Sequence, residues 1–319
     1  MVHRSRAGLR AEKVSIARHL GRSAACLTAA AALASGACSS KNNGPDGASP
    51  DQVTVDVPEV GGIHGTCPTT LAGPVMARVS WSGGPAYCID STEVTNAQYQ
   101  AFLAAAAPPP PSPRCAWNSS LAPAATGAGC TAFDPAGHPD LPVVCVDWCD
   151  ADAYCRWAGK YLCGVADPDG VHGGPVTNPT SKTSGSQWIV ACSNDGTLTY
   201  PYGNEGTSGR CADKKFPSTT PGVQPVKSAT MCEGGVPGLF DMAGNASEWQ
   251  NNCVEAAPSA TAKDDGQDDA CDAYGGARSS EYPDTSCLAA TSPSDTTAHF
   301  KRAQVAPDNG FRCCSNAVF

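Results

Sequence analysis

Eighteen cysteines and one short acidic loop hold most of the chemistry open to this sequence. Cys26 and Cys38 lie near the start, and sixteen cysteines are scattered between Cys67 and Cys314. Thiolates bind metals when two sulfurs, or sulfurs and imidazoles, recur at short fixed spacing. No two cysteines here are separated by two residues, and no Cys/His finger spacing occurs. An even number of dispersed cysteines in an exported chain reads instead as a disulfide framework. The acidic loop runs from Asp241 to Glu248 (DMAGNASE). Its two carboxylates are hard oxygen donors, and Gly244 and Asn245 let the backbone curl between them. The carbonyls of Gly244 and Ala246 can then face the point the carboxylates face, as calcium's oxygen-rich coordination requires. A solvated acidic turn is the alternative reading of the same residues.

Other reaction chemistry finds little footing. His64, His138, His172 and His299 are dispersed and fall mostly in loop-like sequence. There is no Gly-x-Ser-x-Gly elbow, phosphate loop or metalloprotease motif. Residues 1–37 carry six Lys/Arg and one acid, which leaves 15 basic against 29 acidic residues beyond them. An acidic body without a basic stripe is repelled by nucleic-acid phosphates, so no nucleic-acid partner is expected.

The chemistry must be delivered outside the cytoplasm. A basic stretch ending at Arg22 precedes an apolar run from Ala24 to Ala34, too short to span a bilayer and suited to a signal peptide. Small residues then lead to Cys38 (SGACSS), which resembles a bacterial lipoprotein cleavage site with Cys38 as lipid acceptor. Ordinary cleavage and secretion is the other possibility. The predicted organisation is a signal peptide over 1–37, a polar tether over 38–60, and one domain over 61–319. A lipid anchor is the only expected membrane contact.

High Gly and Pro (33 and 27) predict many turns and short strands. Segments 108–113, 164–185 and 256–272 read as surface insertions. One helix is expected within Ser91–Leu103, with Thr95 as N-cap and Gln98 completing a capping box. A second is expected over Asp147–Gly159, capped by Asp147 and closed by Gly159, with Ala151, Tyr154, Cys155 and Ala158 as its buried stripe. A shorter one is expected near Gln187–Cys192.

Six segments in order carry a resemblance: Tyr87–Tyr99 (YCIDSTEVTNAQY), Pro142–Leu162, Tyr200–Asn204 (YPYGN), Gly238–Trp249 (GLFDMAGNASEW), a Gly-Gly element at Tyr274–Ala277, and Gly310–Cys313 (GFRC). Together they resemble the sulfatase-modifying-factor, or formylglycine-generating enzyme, family across most of residues 75–319. The resemblance implies a compact, loop-rich α+β domain with little regular secondary structure, related to C-type lectins and stapled by disulfides. It also implies structural calcium on Asp241, Gly244, Ala246 and Glu248, a bridge from Cys155 to Cys313, and a bridge at Cys192 whose partner would lie near Cys287. The family's second calcium site would fall near Asp213 and Lys214, where this sequence departs from the pattern.

The departures bear on activity. The family oxidises a substrate cysteine to formylglycine with copper(I) held by a Cys-x4-Cys pair, since soft thiolates suit that ion. The corresponding positions fall near Ser280 and Thr285, and no two cysteines in the chain are five residues apart. The family's Arg-Leu-Pro-Thr-Glu segment is replaced by Tyr161–Val165 (YLCGV), with an insertion before Trp188. The expected function is therefore a non-catalytic, exported, calcium-stabilised scaffold that binds a protein or glycan, with copper not expected. The alternative is an active copper-dependent oxidoreductase whose cysteines converge in space.

Overall fold

In the computed structural model, residues 65–166, 185–218, 222–253, 271, 273–274, 286–287 and 301–318 are described. The expected signal peptide and tether, Cys38, most of the second and third expected insertions, and the Ser280 and Thr285 positions lie outside them.

Among the described residues, two small sheets and three short α-helices form the framework. The first sheet orders its strands β1 (Met76–Trp81), β2 (Gly84–Asp90), β7 (Cys313–Asn316) and β3 (Tyr161–Leu162), all antiparallel. Its register sets Val79 opposite Tyr87 and Leu162 opposite Cys313. The second sheet sets β4 (Ser247–Trp249) between β5 (Ala273–Tyr274) and β6 (Asn309–Phe311). β4 runs antiparallel to β5 and parallel to β6, with Glu248 beside Gly310. β6 and β7 are separated by Arg312 alone, so that one residue bridges the two sheets. The described part is thus mixed α and β with little regular structure.

Local signals explain the helices. α1 (Asn96–Leu103) starts after Thr95, whose hydroxyl accepts from the Gln98 N–H while the Gln98 side chain accepts from the Thr95 N–H. It begins later than Ser91 because residues 91–95 are drawn into extended pairing: Ser91 N–H donates to Val75 O and Val94 N–H to Phe311 O. α2 (Trp148–Trp157) is capped by Asp147 and reciprocally by Asp150, and Gly159 takes a positive φ just beyond its end. The stripe of Ala151, Tyr154, Cys155 and Ala158 is buried. α3 (Gln187–Ser193) is capped by Ser186 and buried along its whole length.

One cluster packs Tyr99, Phe102, Tyr154 and Phe311 between α1, α2 and β6, with Tyr99 stacked on Tyr154 at 5.6 Å. Another packs Val79, Tyr87, Ile89, Trp188, Leu239 and Met242 beneath the first sheet. Burial at these sites supplies the largest favourable contribution to folding.

Eight disulfides close the framework. Cys155–Cys313 and Cys163–Cys314 tie adjacent residues of β7 to α2 and to the end of β3. Cys192–Cys287 anchors α3, and Cys67–Cys88 anchors β2. The others close local loops: Cys115–Cys149, Cys130–Cys145, Cys211–Cys232 and Cys253–Cys271. Cys155–Cys313 spans 158 residues, the longest closure of the eight, and so constrains the unfolded chain most. Replacing both Cys155 and Cys313 with Ala is expected to lower unfolding free energy by about 2–5 kcal/mol in denaturant titration. Loss of Cys253–Cys271 should cost less, because that bridge closes only 18 residues.

Candidate functional site

The acidic loop, the Gly-Phe-Arg-Cys segment and the stretch between β2 and α1 converge on one buried ionic centre. Arg312 is fully buried between the two sheets. Its Nε donates to Glu248 Oε2 at 2.7 Å and its Nη2 to Glu248 Oε1 at 2.7 Å, a forked pair. Nη1 donates to Asp90 O, and Nη2 also reaches Phe240 O and Asp241 O. Trp188 Nε1 donates to Glu248 Oε2 at 2.8 Å. Glu248 Oε2 thus accepts two hydrogen bonds and Oε1 one, all from protein donors. Burial by itself would lower the Arg312 pKa, but Glu248, then Glu93 and Asp241, raise it overall.

Backbone strain builds the loop. Asp241, Gly244 and Asn245 all have positive φ, at +56°, +76° and +63°. A Cβ on Gly244 would lie 2.9 Å from Ala212 O, so that turn admits no side chain. Asn245 stays in place because its Oδ1 accepts from Gln224 N–H and its Nδ2 donates to Gln224 O. Asp241 Oδ2 accepts from Lys227 N–H at 2.6 Å, and burial holds its carboxyl near 6 despite that bond.

Glu93 completes the centre, and sequence reading missed it. It is fully buried, and neither carboxylate oxygen has a hydrogen-bond partner. Burial, then the nearby Asp241 charge, pushes its pKa well up, while Arg312 opposes that rise and Glu248 adds to it. No local signal marked it: Asp90 to Thr95 is a mostly polar stretch between a strand and a capped helix, and only the fold buries all six residues.

The four groups expected to bind calcium therefore have unequal freedom. Asp241, Gly244, Ala246 and Glu248 share one loop, but Glu248 is largely consumed by Arg312 and Trp188. The open buried carboxylate of the centre is Glu93. Among the described residues no three His, Cys, Asp or Glu side chains gather as a metal ion would need, so a cation here would draw mainly on carbonyl oxygens and water. Near the second expected site, both oxygens of Asp213 accept from the Gly209 N–H and Oδ1 also from the Lys215 N–H. For copper(I) the donor set does not fit, because every cysteine from Cys67 to Cys314 is held in a disulfide. His138 lies apart from this centre, exposed on the wall of a groove of about 440 Å³ with Asn96, Phe133, Leu141 and Pro307.

The family model for the sulfatase-modifying factor enzyme 1-like domain matches residues 75–317. The chain belongs to this family. A crystal structure of CarF is similar at 19% identity, covering 77% of this chain and 96% of that one, with a TM-score of 0.44. PvdO from Pseudomonas aeruginosa is similar at 17% identity over 77% and 92%, with a TM-score of 0.44. Treponema denticola variable protein 1 is similar at 18% identity over 77% and 92%, with a TM-score of 0.42. No curated protein matches the chain.

Two outcomes follow from the centre. Arg312→Met strands the buried Glu248 charge, and denaturant titration is expected to show a loss of about 3–5 kcal/mol. Asp241, Asp90 and Asp147 are each raised by burial from 3.8 to about 6. Groups raised on folding take up protons as the chain folds, so their stabilisation is present at low pH and is lost as pH rises through about 6. In chelator, the melting temperature is expected to rise as pH is lowered from about 7.5 to about 5. A steady fall over that interval would contradict the burial of these carboxyls.

Proposed function

We propose that this sulfatase-modifying-factor-like protein is an exported, non-catalytic scaffold, stabilised by calcium at the Asp241–Glu248 loop, that binds a protein or glycan through its loops. The observation that carries this reading is the fate of the cysteines. The family's chemistry needs two free thiolates to hold copper(I), and from Cys67 to Cys314 each sulfur is instead bonded to another sulfur. A disulfide sulfur is a neutral, weak donor and cannot take a thiolate's place.

The distribution of bridges fits display of loops. Four disulfides fasten the core strands and α3, and four close loops at their own base: 115–149, 130–145, 211–232 and 253–271. Loops fixed at the base lose less entropy when they meet a partner. Binding sites are commonly carried on loops that a rigid framework positions.

Eight disulfides call for an oxidising, extracellular-type compartment. No helix among the described residues is long and apolar enough to cross a membrane. Anchorage then falls to Cys38 as lipid acceptor, with the chain in the cell envelope. Cys38→Ala is expected to move the protein from the membrane fraction to the soluble exported fraction on immunoblots. An unchanged membrane fraction would remove the anchor from this account.

The enzymatic alternative is tested directly. The folded chain, given copper(I), oxygen, a thiol and a Cys-x-Pro-x-Arg peptide, is expected to yield no aldehyde by mass spectrometry. Copper-dependent aldehyde would overturn the non-catalytic reading.

A further inference from the structure

The groove that carries His138 lies apart from the ionic centre and is formed before any partner arrives. Its volume, about 440 Å³, falls within the roughly 300–1,000 Å³ of ligand sites. Pro123, Phe133, Leu141, Val144, Val223 and Pro307 give it apolar walls. Backbone pairing fixes those walls. Asn96 N–H donates to Leu141 O, Ala97 N–H to Pro139 O, Val226 N–H to Asp140 O and Cys145 N–H to Ala306 O. Cys130–Cys145 closes one wall at its base, and Phe133 packs edge-on against Tyr99. A ligand therefore meets a surface already ordered, which lowers the entropy lost on binding.

Polarity and charge select the occupant. Asn96 already donates to His138 O, so the polar side chains the walls offer most openly are Thr131, Asp134 and His138, all exposed. A sugar carries hydroxyls on most of its carbons, and those pressed on aliphatic and proline walls would lose water without finding partners. An apolar side chain meets no such cost and gains from burial. The segments that build most of the groove, 122–146, 222–226 and 303–309, contain Asp134, Asp140 and Asp308 and no Lys or Arg. Asp134 itself lines the groove, with Oδ1 accepting from the Gly137 N–H. A positive charge on the ligand is matched there and a negative one repelled, which is how charge confers specificity on an interface. We propose that this groove takes up an extended segment of a partner protein that presents an aliphatic or aromatic side chain beside Lys or Arg, with Asp134 reading the positive charge. The inference deepens the loop-binding reading and rests on it.

The test uses the full folded chain and two probes, a displayed random-peptide library and an immobilised glycan array. Enriched peptides are expected to share an apolar residue beside Lys or Arg, and the best of them is then titrated by fluorescence anisotropy. Two variants follow at exposed groove positions, each checked for an unchanged melting temperature. Ala132→Trp fills the groove and is expected to abolish peptide binding. Asp134→Asn keeps the acceptor for Gly137 N–H and removes the charge. It is expected to weaken binding roughly 2–5-fold, with the difference vanishing at high salt. Peptides enriched without a basic residue, or indifferent to D134N at low salt, would overturn the role given to Asp134. Peptide binding unchanged in A132W would overturn the groove and leave the loop-binding reading standing. Binding on the glycan array alone, lost in A132W, would overturn the peptide as occupant. No binding to either probe would overturn both this inference and the loop-binding reading.

Discussion

The Arg312–Glu248 fork is the contact on which the other features of this molecule hang. Arg312 is the single residue between β6 and β7, so its position fixes how the second sheet meets the first. Its guanidinium accepts no compromise in geometry: it spends its donors on Glu248, on the end of β2 at Asp90, and on the start of the acidic loop. A buried ion pair of this kind adds little net stability against an apolar replacement. What it adds is specificity, because any other arrangement of the loop leaves a charge stranded in a low-dielectric interior.

Disulfides then hold what the fork arranges. Cys313 and Cys314 follow Arg312 directly and are bridged to α2 and to the end of β3, so the residue that sets the ionic centre is locked from its C-terminal side. On the opposite side, Lys160 Nζ pairs with Asp90 Oδ1 at 2.5 Å, and Asp90 Oδ2 accepts from the Cys313 N–H. Polar groups at the centre of the molecule are thus arranged as a connected set, and the aromatic clusters pack around it. Every described cysteine is consumed in this framework, so none of them stands as a free thiolate.

Much of this was legible in the sequence, for reasons that can be named. The caps at Thr95 and Asp147 are local: each needs only a side chain three residues on, Gln98 or Asp150, and sequence displays such pairs directly. Cys155–Cys313 and Cys192–Cys287 came into view through the family resemblance, whereas the partners of Cys130 or Cys253 depend on loop paths with no local signature. The acidic loop was visible as a pair of carboxylates around a turn. That Glu248 would be taken by Arg312 was not, because the two residues are 64 apart and meet only through the parallel pairing of β4 with β6. Glu93 was hidden for the opposite reason: in a polar run before a helix, a glutamate looks solvated, and only the pairing of Val94 with Phe311 turns it inward.

The central claim, that this family member keeps the scaffold without a free thiolate pair, is tested most directly by disulfide mapping of the native protein. Native protein would be alkylated without reduction, digested, and its cross-linked peptides sequenced by mass spectrometry. The account predicts eight bridges with the pairings given above and no alkylated cysteine between Cys67 and Cys314. Two alkylated cysteines in that interval, present together in folded protein and protected by copper(I), would contradict it.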